Sequence, residues 1–215
     1  MAWELRLVED MLAAGQALAF PADGINRIVY VAHGGCMADG ASFAADSAWH
    51  GRGAARLVAG PHGAALWRFE LVPAGTVPVR GEGRALEKLR SALEPEATAG
   101  DLLFRCDSVA FPPGGCALLH THQGPGIRCL IEGGIRIDTH GQSTSYAPGG
   151  AWFEAGPEPV FAQAAADRPS RFIRAMVLPA RLLGSSSIRY VREEDLARPK
   201  SQSYRGYIDT RIELG

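Results

Sequence analysis

Two histidines one residue apart, His120 and His122, are the residues of this chain best suited to carry chemistry. Residues i and i+2 of a β-strand point to the same face, so a strand here would aim both imidazoles at one side. If that strand belongs to a closed barrel, the side is a shielded interior. Two imidazoles in such an interior are half of a divalent-metal site, and the alternative is a buried, hydrogen-bonded pair without metal.

Arg128 follows in the next apolar segment, where it shares a strand face with Gly126 and Leu130. We expect Arg128 to face inward and to bind the carboxylate or phosphate of a small molecule through its planar guanidinium group. The alternative is a place at the barrel rim, where the side chain reaches solvent. Trp152 is predicted to be a second substrate-binding residue, in the core or the wall of the same pocket.

The spacing around the histidines resembles the first motif of the cupin superfamily. Gly114 is followed by five residues and then by His120-Thr121-His122, and six residues separate Gly126 from Gly133. Gly126 occupies the position of the family's glutamate ligand. The resemblance implies an RmlC-like jelly-roll barrel, a double-stranded β-helix, with a site at its mouth.

A second segment resembles the second cupin motif more weakly. Pro159 stands at the position of the family's third histidine, and Gln163 stands at that of its asparagine. Glu154 and Gln163 are the nearest oxygen donors, and either could join the two histidines as a ligand. Two histidines and a carboxylate suit iron, manganese, zinc or nickel. For Glu154, capping a loop or pairing with an arginine is the alternative.

The elements that must position these residues are short apolar runs between turn residues. Glycine (26) and proline (14) are scattered through the chain, which is typical of the many tight turns of an all-β domain. Eight strands, the number in a double-sheet jelly roll, are predicted at Leu102–Phe111, Cys116–His122, Ile127–Ile131, Ile135–Thr139, Thr144–Tyr146, Ala151–Glu154, Val160–Ala164 and Phe172–Leu178.

The first half is predicted to mix strands with short helices. Apolar residues recur at helical spacing in Glu4–Ala14 and in Arg84–Leu93, and the second helix is expected to bridge two halves of the chain. Turns are predicted at Gly34-Gly35 and Asp39-Gly40. The predicted strands are residues 17–20, 27–32, 53–59 and 64–72.

A degenerate internal repeat divides the chain. Residues 24–35 and 126–137 have a similar pattern, and 66–73 and 171–179 each end with an apolar residue and proline. This predicts a reduced cupin-like unit at 1–98, a cupin barrel at 99–180, and a C-terminal extension at 181–215 that packs on the barrel or on a dimer partner. The alternative is a chance likeness between two β-barrel halves.

Composition restricts the function classes. A formal net charge of -1 argues against nucleic-acid binding, which requires a basic surface. The N-terminal segment has no basic region before an apolar run, and no run of 18 apolar residues exists, so we expect a cytoplasmic protein without a membrane partner. The four cysteines show no C-x-x-C spacing and are expected to be reduced thiols.

These observations favour a cupin that binds a divalent metal and a small anionic molecule. The metal would support dioxygenase- or isomerase-like chemistry. A non-catalytic sensor or binding barrel that has lost its metal is the alternative, and a structural role is the third. A homodimer is compatible with all three, and the resemblance to cupins favours one.

Overall fold

The computed structural model describes all 215 residues of the chain, and it consists almost entirely of β-strands. The all-β class predicted from the sequence is confirmed. The only helical segments are the 3-10 turns Pro95–Thr98 and Ala180–Leu182 and the short helix α1 (Glu194–Ala197). None is long and apolar enough to cross a membrane. The chain divides into two compact units, Met1–Pro95 with Ile212–Gly215 and Glu96–Arg211.

Seven strands form one hydrogen-bonded sheet in the first unit. They are β1 (Trp3–Leu12), β2 (Ala17–Phe20), β3 (Asn26–Ala38), β4 (Ala41–Ala44), β5 (Ser47–Gly51), β6 (Ala55–Pro73) and β7 (Arg84–Leu93). The central order is β4-β3-β6-β1-β7, with β2 paired to β6 and β5 paired to β3. The two long strands β3 and β6 therefore pair with every other strand of the sheet except β7, which pairs with β1.

A close approach of two backbones bends these long strands. The register of β3 against β6 shifts twice within Val31–Cys36. Gly34 has a φ of 72°, and a Cβ there would lie 2.1 Å from the carbonyl oxygen of Gly63. Gly34-Gly35 is therefore a bulge inside a continuous strand, and the turn predicted there is wrong.

Both helices predicted in the first half are strands. Glu4–Ala14 falls largely in β1, and Arg84–Leu93 is β7, the edge strand paired to β1. In β1, Arg6 and Asp10 are buried on one face while apolar residues such as Leu5 are buried on the other. Because charged residues occupy buried positions, the alternation of side chains between the two faces of the strand is not visible as an alternation of hydrophobic and polar residues. In β7, pairing with β1 overrides a helix-forming composition.

The buried charges of the first unit pair with one another. Glu70 lies opposite both Arg6 and Arg27 in the sheet register, and it contacts their Nε atoms at 2.6 and 2.8 Å. Arg68 contacts Glu70 at 2.9 Å and Asp10 at 2.8 Å. A buried charge without a partner is strongly destabilising, so this network helps to fix the register of β1, β3 and β6.

Ten strands form the second unit. They are β8 (Leu102–Phe111), β9 (Cys116–His122), β10 (Gly126–Glu132), β11 (Ile135–Thr139), β12 (Gln142–Tyr146), β13 (Ala151–Glu154), β14 (Val160–Ala164), β15 (Ser170–Pro179), β16 (Ile188–Tyr190) and β17 (Ser203–Ile212). One five-stranded sheet has the order β13-β10-β15-β8-β17, and the other has the order β12-β11-β14-β9-β16. All eight predicted strands are present, and the C-terminal segment adds β16 and β17.

Turn chemistry and an apolar core hold this barrel together. His140 and Gly141 join β11 to β12 with φ values of 51° and 70°, the pattern of a tight hairpin turn. Apolar side chains fill the interior, among them Val109, Leu130, Ile137, Trp152 and Phe172.

The two units share a strand order. The first contains β5-β3-β6-β1-β7 and the second contains β13-β10-β15-β8-β17. In register, Trp49 of β5 shares a row with Arg68 of β6, as Trp152 of β13 does with Arg174 of β15. This correspondence supports the internal repeat. The two-barrel organisation, with boundaries at residues 98 and 180, remains our proposal.

Candidate functional site

The histidine pair lies on β9 and points into the second unit. His120 and His122 are 6% and 4% exposed. β9 lies between β14 and β16, so both residues are in the interior of the sheet and not at its edge. The two Nε2 atoms are 3.2 Å apart, and the rings are nearly perpendicular, at 86°. The side chains therefore converge on one point, as their spacing predicted.

A backbone contact sets the tautomer of His120. Its Nδ1 lies 2.7 Å from the carbonyl oxygen of Leu118, a hydrogen-bond acceptor, so Nδ1 carries the hydrogen. The Nε2 atom of neutral His120 then presents a lone pair to the interior. In metal-binding histidines, one ring nitrogen usually donates a hydrogen bond to the protein in this way while the other binds the metal.

Glu154 of β13 brings a carboxylate to the pair from the opposite sheet. Its Oε2 lies 2.8 Å from His122 Nε2, and its Oε1 accepts a hydrogen bond of 2.7 Å from Trp152 Nε1. Glu154 is directly opposite Gly126 in the β10–β13 register. The neighbouring strand β13 thus places a carboxylate beside Gly126, which has no side chain.

Arg128 faces inward, as predicted, but its partners belong to the protein. Its Nη2 lies 2.9 Å from Glu154 Oε2, and its Nη1 donates to the carbonyl oxygen of Gly126 at 2.6 Å. Trp152 stacks on Tyr146 with ring centroids 4.7 Å apart and orients Glu154. In this conformation, Arg128 and Trp152 hold the carboxylate, the role that the prediction had given to a substrate.

Gln163 lies away from the cluster. Its Nε2 donates to the carbonyl oxygens of Gly114 and Gly115, at 2.9 and 3.2 Å, so it fastens the turn before β9. It is opposite Cys116, the first residue of β9, whereas the histidines are at the other end of that strand. The structure therefore brings together five of the six predicted site residues and leaves Gln163 out.

Burial and charge set the protonation states of the cluster. Burial, reinforced by the Arg128 charge, lowers the pKa of His122 to about 3, and burial also lowers the pKa of His120. Burial opposes ionisation of Glu154, but Arg128 and His122 hold its pKa well below the usual value. Burial lowers the pKa of Arg128 to about 10. At neutral pH the cluster thus contains two neutral imidazoles, one carboxylate and one guanidinium.

Three residues of the site were missed from the sequence. Arg174 and Asp107 form a buried pair across β15 and β8, with contacts of 2.6 and 3.0 Å, and Arg174 lies opposite Arg128 in register. Tyr204 of β17 lies over Arg174. The available signal was the presence of charged residues of opposite sign, Asp107 and Arg174, within two otherwise largely apolar strands. Tyr204 gave no signal, because its place depends on how the C-terminal segment pairs.

The donor atoms are compatible with one divalent ion. Two ligand atoms that each lie about 2.1 Å from an ion, with an angle of about 90° at the ion, are about 3 Å apart. The two histidine Nε2 atoms are 3.2 Å apart, and His122 Nε2 lies 2.8 Å from Glu154 Oε2, which is close to that value. Glu154 Oε2 is buried and makes no hydrogen bond of good geometry. A cavity of ≈ 20 Å³ remains among these side chains. However, no group of three or more His, Cys, Asp or Glu side chains in the structure has the arrangement needed to hold a metal ion as it stands.

Comparison with known proteins finds similarity at the level of structure. No protein-family model matches the chain, and no curated protein matches its sequence. The Lactobacillus farciminis oxalate decarboxylase–formate complex superimposes with a TM-score of 0.67 at 12% identity, covering 91% of this chain and 82% of that one. A single-substitution variant of the Bacillus subtilis oxalate decarboxylase gives 0.64 at 13% identity, covering 91% and 73%. An IolB-like protein from Salmonella typhimurium gives 0.57 at 13% identity, covering 90% and 89%.

This chain has the cupin fold. At such low identity the likeness establishes the fold and leaves the reaction open. Gly126 stands where the cupin motif that the sequence resembles has its glutamate, and Glu154 presents a carboxylate from the strand directly opposite. A Cβ on Gly126 would lie 2.7 Å from both the Ala175 carbonyl oxygen and Met176 Cγ. The space that a first-motif glutamate would need is therefore filled.

Proposed function

We propose that this cupin holds one divalent metal ion, iron, manganese, zinc or nickel, through His120 Nε2, His122 Nε2 and Glu154 Oε2, and binds a small anionic molecule beside it. The observation that carries the proposal is the convergence of these three buried donors, with separations of 3.2 and 2.8 Å. Such a set leaves open coordination positions, which suit Lewis-acid or oxygen chemistry of the dioxygenase or isomerase type.

The protonation states support metal binding. Metal ligands must be deprotonated, and protons compete for them when their pKa is high. The low pKa of His122 and the ionised Glu154 remove that competition at neutral pH. Trp152 holds the second carboxylate oxygen, so Oε2 stays directed at the histidines. These residues bind and orient, and the ion would supply the positive charge that polarises a ligand.

A specific observation favours a second function, a metal-free binding barrel. Arg128 Nη2 lies 2.9 Å from the same Glu154 oxygen, so a guanidinium already neutralises the carboxylate. In this alternative Arg128 supplies the positive charge in place of an ion, and the barrel binds a small molecule without turnover. The two functions differ in one measurable property, the stoichiometric binding of metal.

Elemental analysis of protein purified without chelators tests the proposal directly. We expect close to one equivalent of a divalent metal per chain, lost in His120→Ala and in Glu154→Gln. His62→Ala is the matched control, because His62 is exposed on β6 and belongs to no cluster. Calorimetric titration of chelator-treated protein with Mn²⁺ and Zn²⁺ measures the affinity. Absence of metal together with no measurable binding would favour the metal-free barrel.

Assembly and location remain proposals as well. We propose a homodimer, and the support in the structure is the free edge of the first unit. There β7 pairs only with β1, and Leu86 is 50% exposed. Free edge strands with exposed apolar residues readily pair with another chain. Light scattering at several concentrations measures the mass. We also propose a cytoplasmic location, which cell fractionation tests.

A further inference from the structure

A cavity much larger than the space at the histidines lies beside them in the second unit. It measures ≈ 590 Å³, within the usual range for small-molecule sites. One wall comes from Arg105, Asp107 and Arg174 on β8 and β15, and the other comes from residues 185–204 of the C-terminal segment. Arg174 and Tyr204 line both this cavity and the ≈ 20 Å³ space at the histidines. These two side chains therefore separate the large cavity from the histidine cluster.

The cavity is electropositive. Four basic side chains line it, Arg105, Arg174, Arg189 and Lys200, against the single carboxylate of Asp107. Arg105 is engaged by Asp209, with contacts of 3.0 Å, and Lys200 by backbone carbonyl oxygens that include that of Arg198, at 2.6 Å. Asp209 neutralises Arg105 and Asp107 neutralises Arg174, so the positive potential of the cavity comes from Arg189 and Lys200.

Arg174 is the anchor that remains available. It is 6% exposed, and its Nε and Nη2 donate to Asp107 at 2.6 and 3.0 Å. Its Nη1 makes no hydrogen bond within the protein. A buried guanidinium edge with a free donor is suited to a carboxylate. The centroid of the Tyr204 ring lies 5.6 Å from Arg174 Cζ, a cation–π distance.

The C-terminal wall offers a second unsatisfied group and an apolar surface. Gln202 is 8% exposed, its Nε2 donates to Tyr204 at 3.1 Å, and its Oε1 is buried with no hydrogen-bond partner. That oxygen can accept from a hydroxyl or amino group on a ligand. Ile188, Leu196 and Tyr190 add aliphatic and aromatic surface between the polar groups.

We propose that this cavity binds a monocarboxylate with an apolar or aromatic body and a hydroxyl or amino group. The carboxylate binds Arg174, the donor group faces Gln202, and the body packs on the residues from β16 to α1. The proposal deepens the proposed function, because this ligand would lie next to the metal site. Its anchor is nevertheless independent of the metal.

Mandelate is a suitable probe, and 1-phenyl-1,2-ethanediol is its neutral counterpart without the carboxylate. Calorimetric titration should show that mandelate binds at least about tenfold more tightly than the diol, which corresponds to about 1.4 kcal/mol. The double variant Asp107→Asn/Arg174→Gln removes the anchor without leaving a lone buried charge. It should weaken mandelate binding about tenfold while it changes diol binding little. Arg181→Gln, an exposed arginine outside the cavity, is the matched control and should match the wild type.

A blocking variant tests the location without changing charge. Leu196 is 66% exposed, so Leu196→Trp should fold normally, fill part of the cavity and weaken binding of both probes. If mandelate fails to bind at about 10 mM, binds no better than the diol, or is unaffected by Leu196→Trp, the proposal is overturned.

The same titrations separate this proposal from the metal proposal. Mandelate should bind chelator-treated protein and His120→Ala within about threefold of the untreated wild type, because Arg174 and Gln202 are unchanged. Loss of mandelate binding in either case would overturn Arg174 as the anchor. If the protein binds no metal and mandelate still binds, the metal proposal fails and the cavity proposal stands.

Discussion

Replacing Arg128 with methionine is the substitution that tests the centre of this site most directly. Arg128 and Glu154 are both buried, with side chains 1% and 6% exposed and a contact of 2.9 Å. Breaking a buried ion pair by removing one partner costs about 3–5 kcal/mol, because the other charge is left uncompensated. For a chain of this size that corresponds to a fall in Tm of roughly 6–20 °C.

A divalent ion should reverse much of this loss. Ion and guanidinium compete for Glu154 Oε2, and they repel each other at about 5 Å by several kcal/mol at an effective dielectric constant of about 20. Arg128→Met should therefore bind Mn²⁺ or Zn²⁺ about 100-fold more tightly than the wild type. The ion would replace the missing positive charge.

Thermal unfolding with and without metal, after chelator treatment, measures both effects. The double variant Arg128→Met/Glu154→Gln is the matched control, because it removes both charges. It should regain more than half of the lost stability and should gain little from metal. The reasoning is refuted if Arg128→Met unfolds within about 2 °C of the wild type. It is equally refuted if metal raises the Tm of the single and double variants by the same amount.

Three further predictions concern pH, the first unit and the glycine at the site. His122 has a pKa of about 3 in the folded protein and near 6.5 in the unfolded chain, so the unfolded state binds more protons between those pH values. The free energy of unfolding should therefore fall by about 1.4 kcal/mol for each pH unit below about 6.5. Urea unfolding in the presence of a chelator should show this slope, and His122→Gln should reduce it. Glu70→Gln should lower the free energy of unfolding by about 3–5 kcal/mol, because the buried arginines around Glu70 lose their shared carboxylate. Glu82→Gln, at an exposed ion pair, should lower it by less than about 1 kcal/mol. Equal losses in chemical denaturation would contradict the role of the network. Gly126→Ala should cost about 1–3 kcal/mol, because its Cβ would meet the Ala175 carbonyl oxygen, and Gly53→Ala, with open space around it, should be neutral.

The short-range features of this protein could be predicted from its sequence. The boundaries of Cys116–His122, Ile135–Thr139 and Ala151–Glu154 agree with the structure, because each is a short alternating segment between turn residues. That His120 and His122 point to the same face follows from the two-residue period of a strand alone. The spacing from Gly114 to Gly133 was sufficient to indicate the cupin fold.

The prediction failed where tertiary contacts override local pattern. β1 looked helical because its inward residues include Arg6 and Asp10, whose burial depends on Glu70 and Arg68 more than fifty positions away. β7 has a helix-forming composition and becomes a strand only because β1 offers it an edge. Neither cause can be read from the segment itself.

The same division applies to the site. The sequence by itself indicated the barrel through its resemblance to the cupin motif, and it indicated the histidine pair through the alternation of side chains along a strand. Only the tertiary structure decided that Glu154, opposite Gly126, supplies the carboxylate, that Arg128 holds it, and that Gln163 fastens a turn. It also placed Arg174 and Tyr204 between the histidines and the large cavity. The physical reason is that strand pairing, and not distance along the chain, brings charged groups within reach of one another.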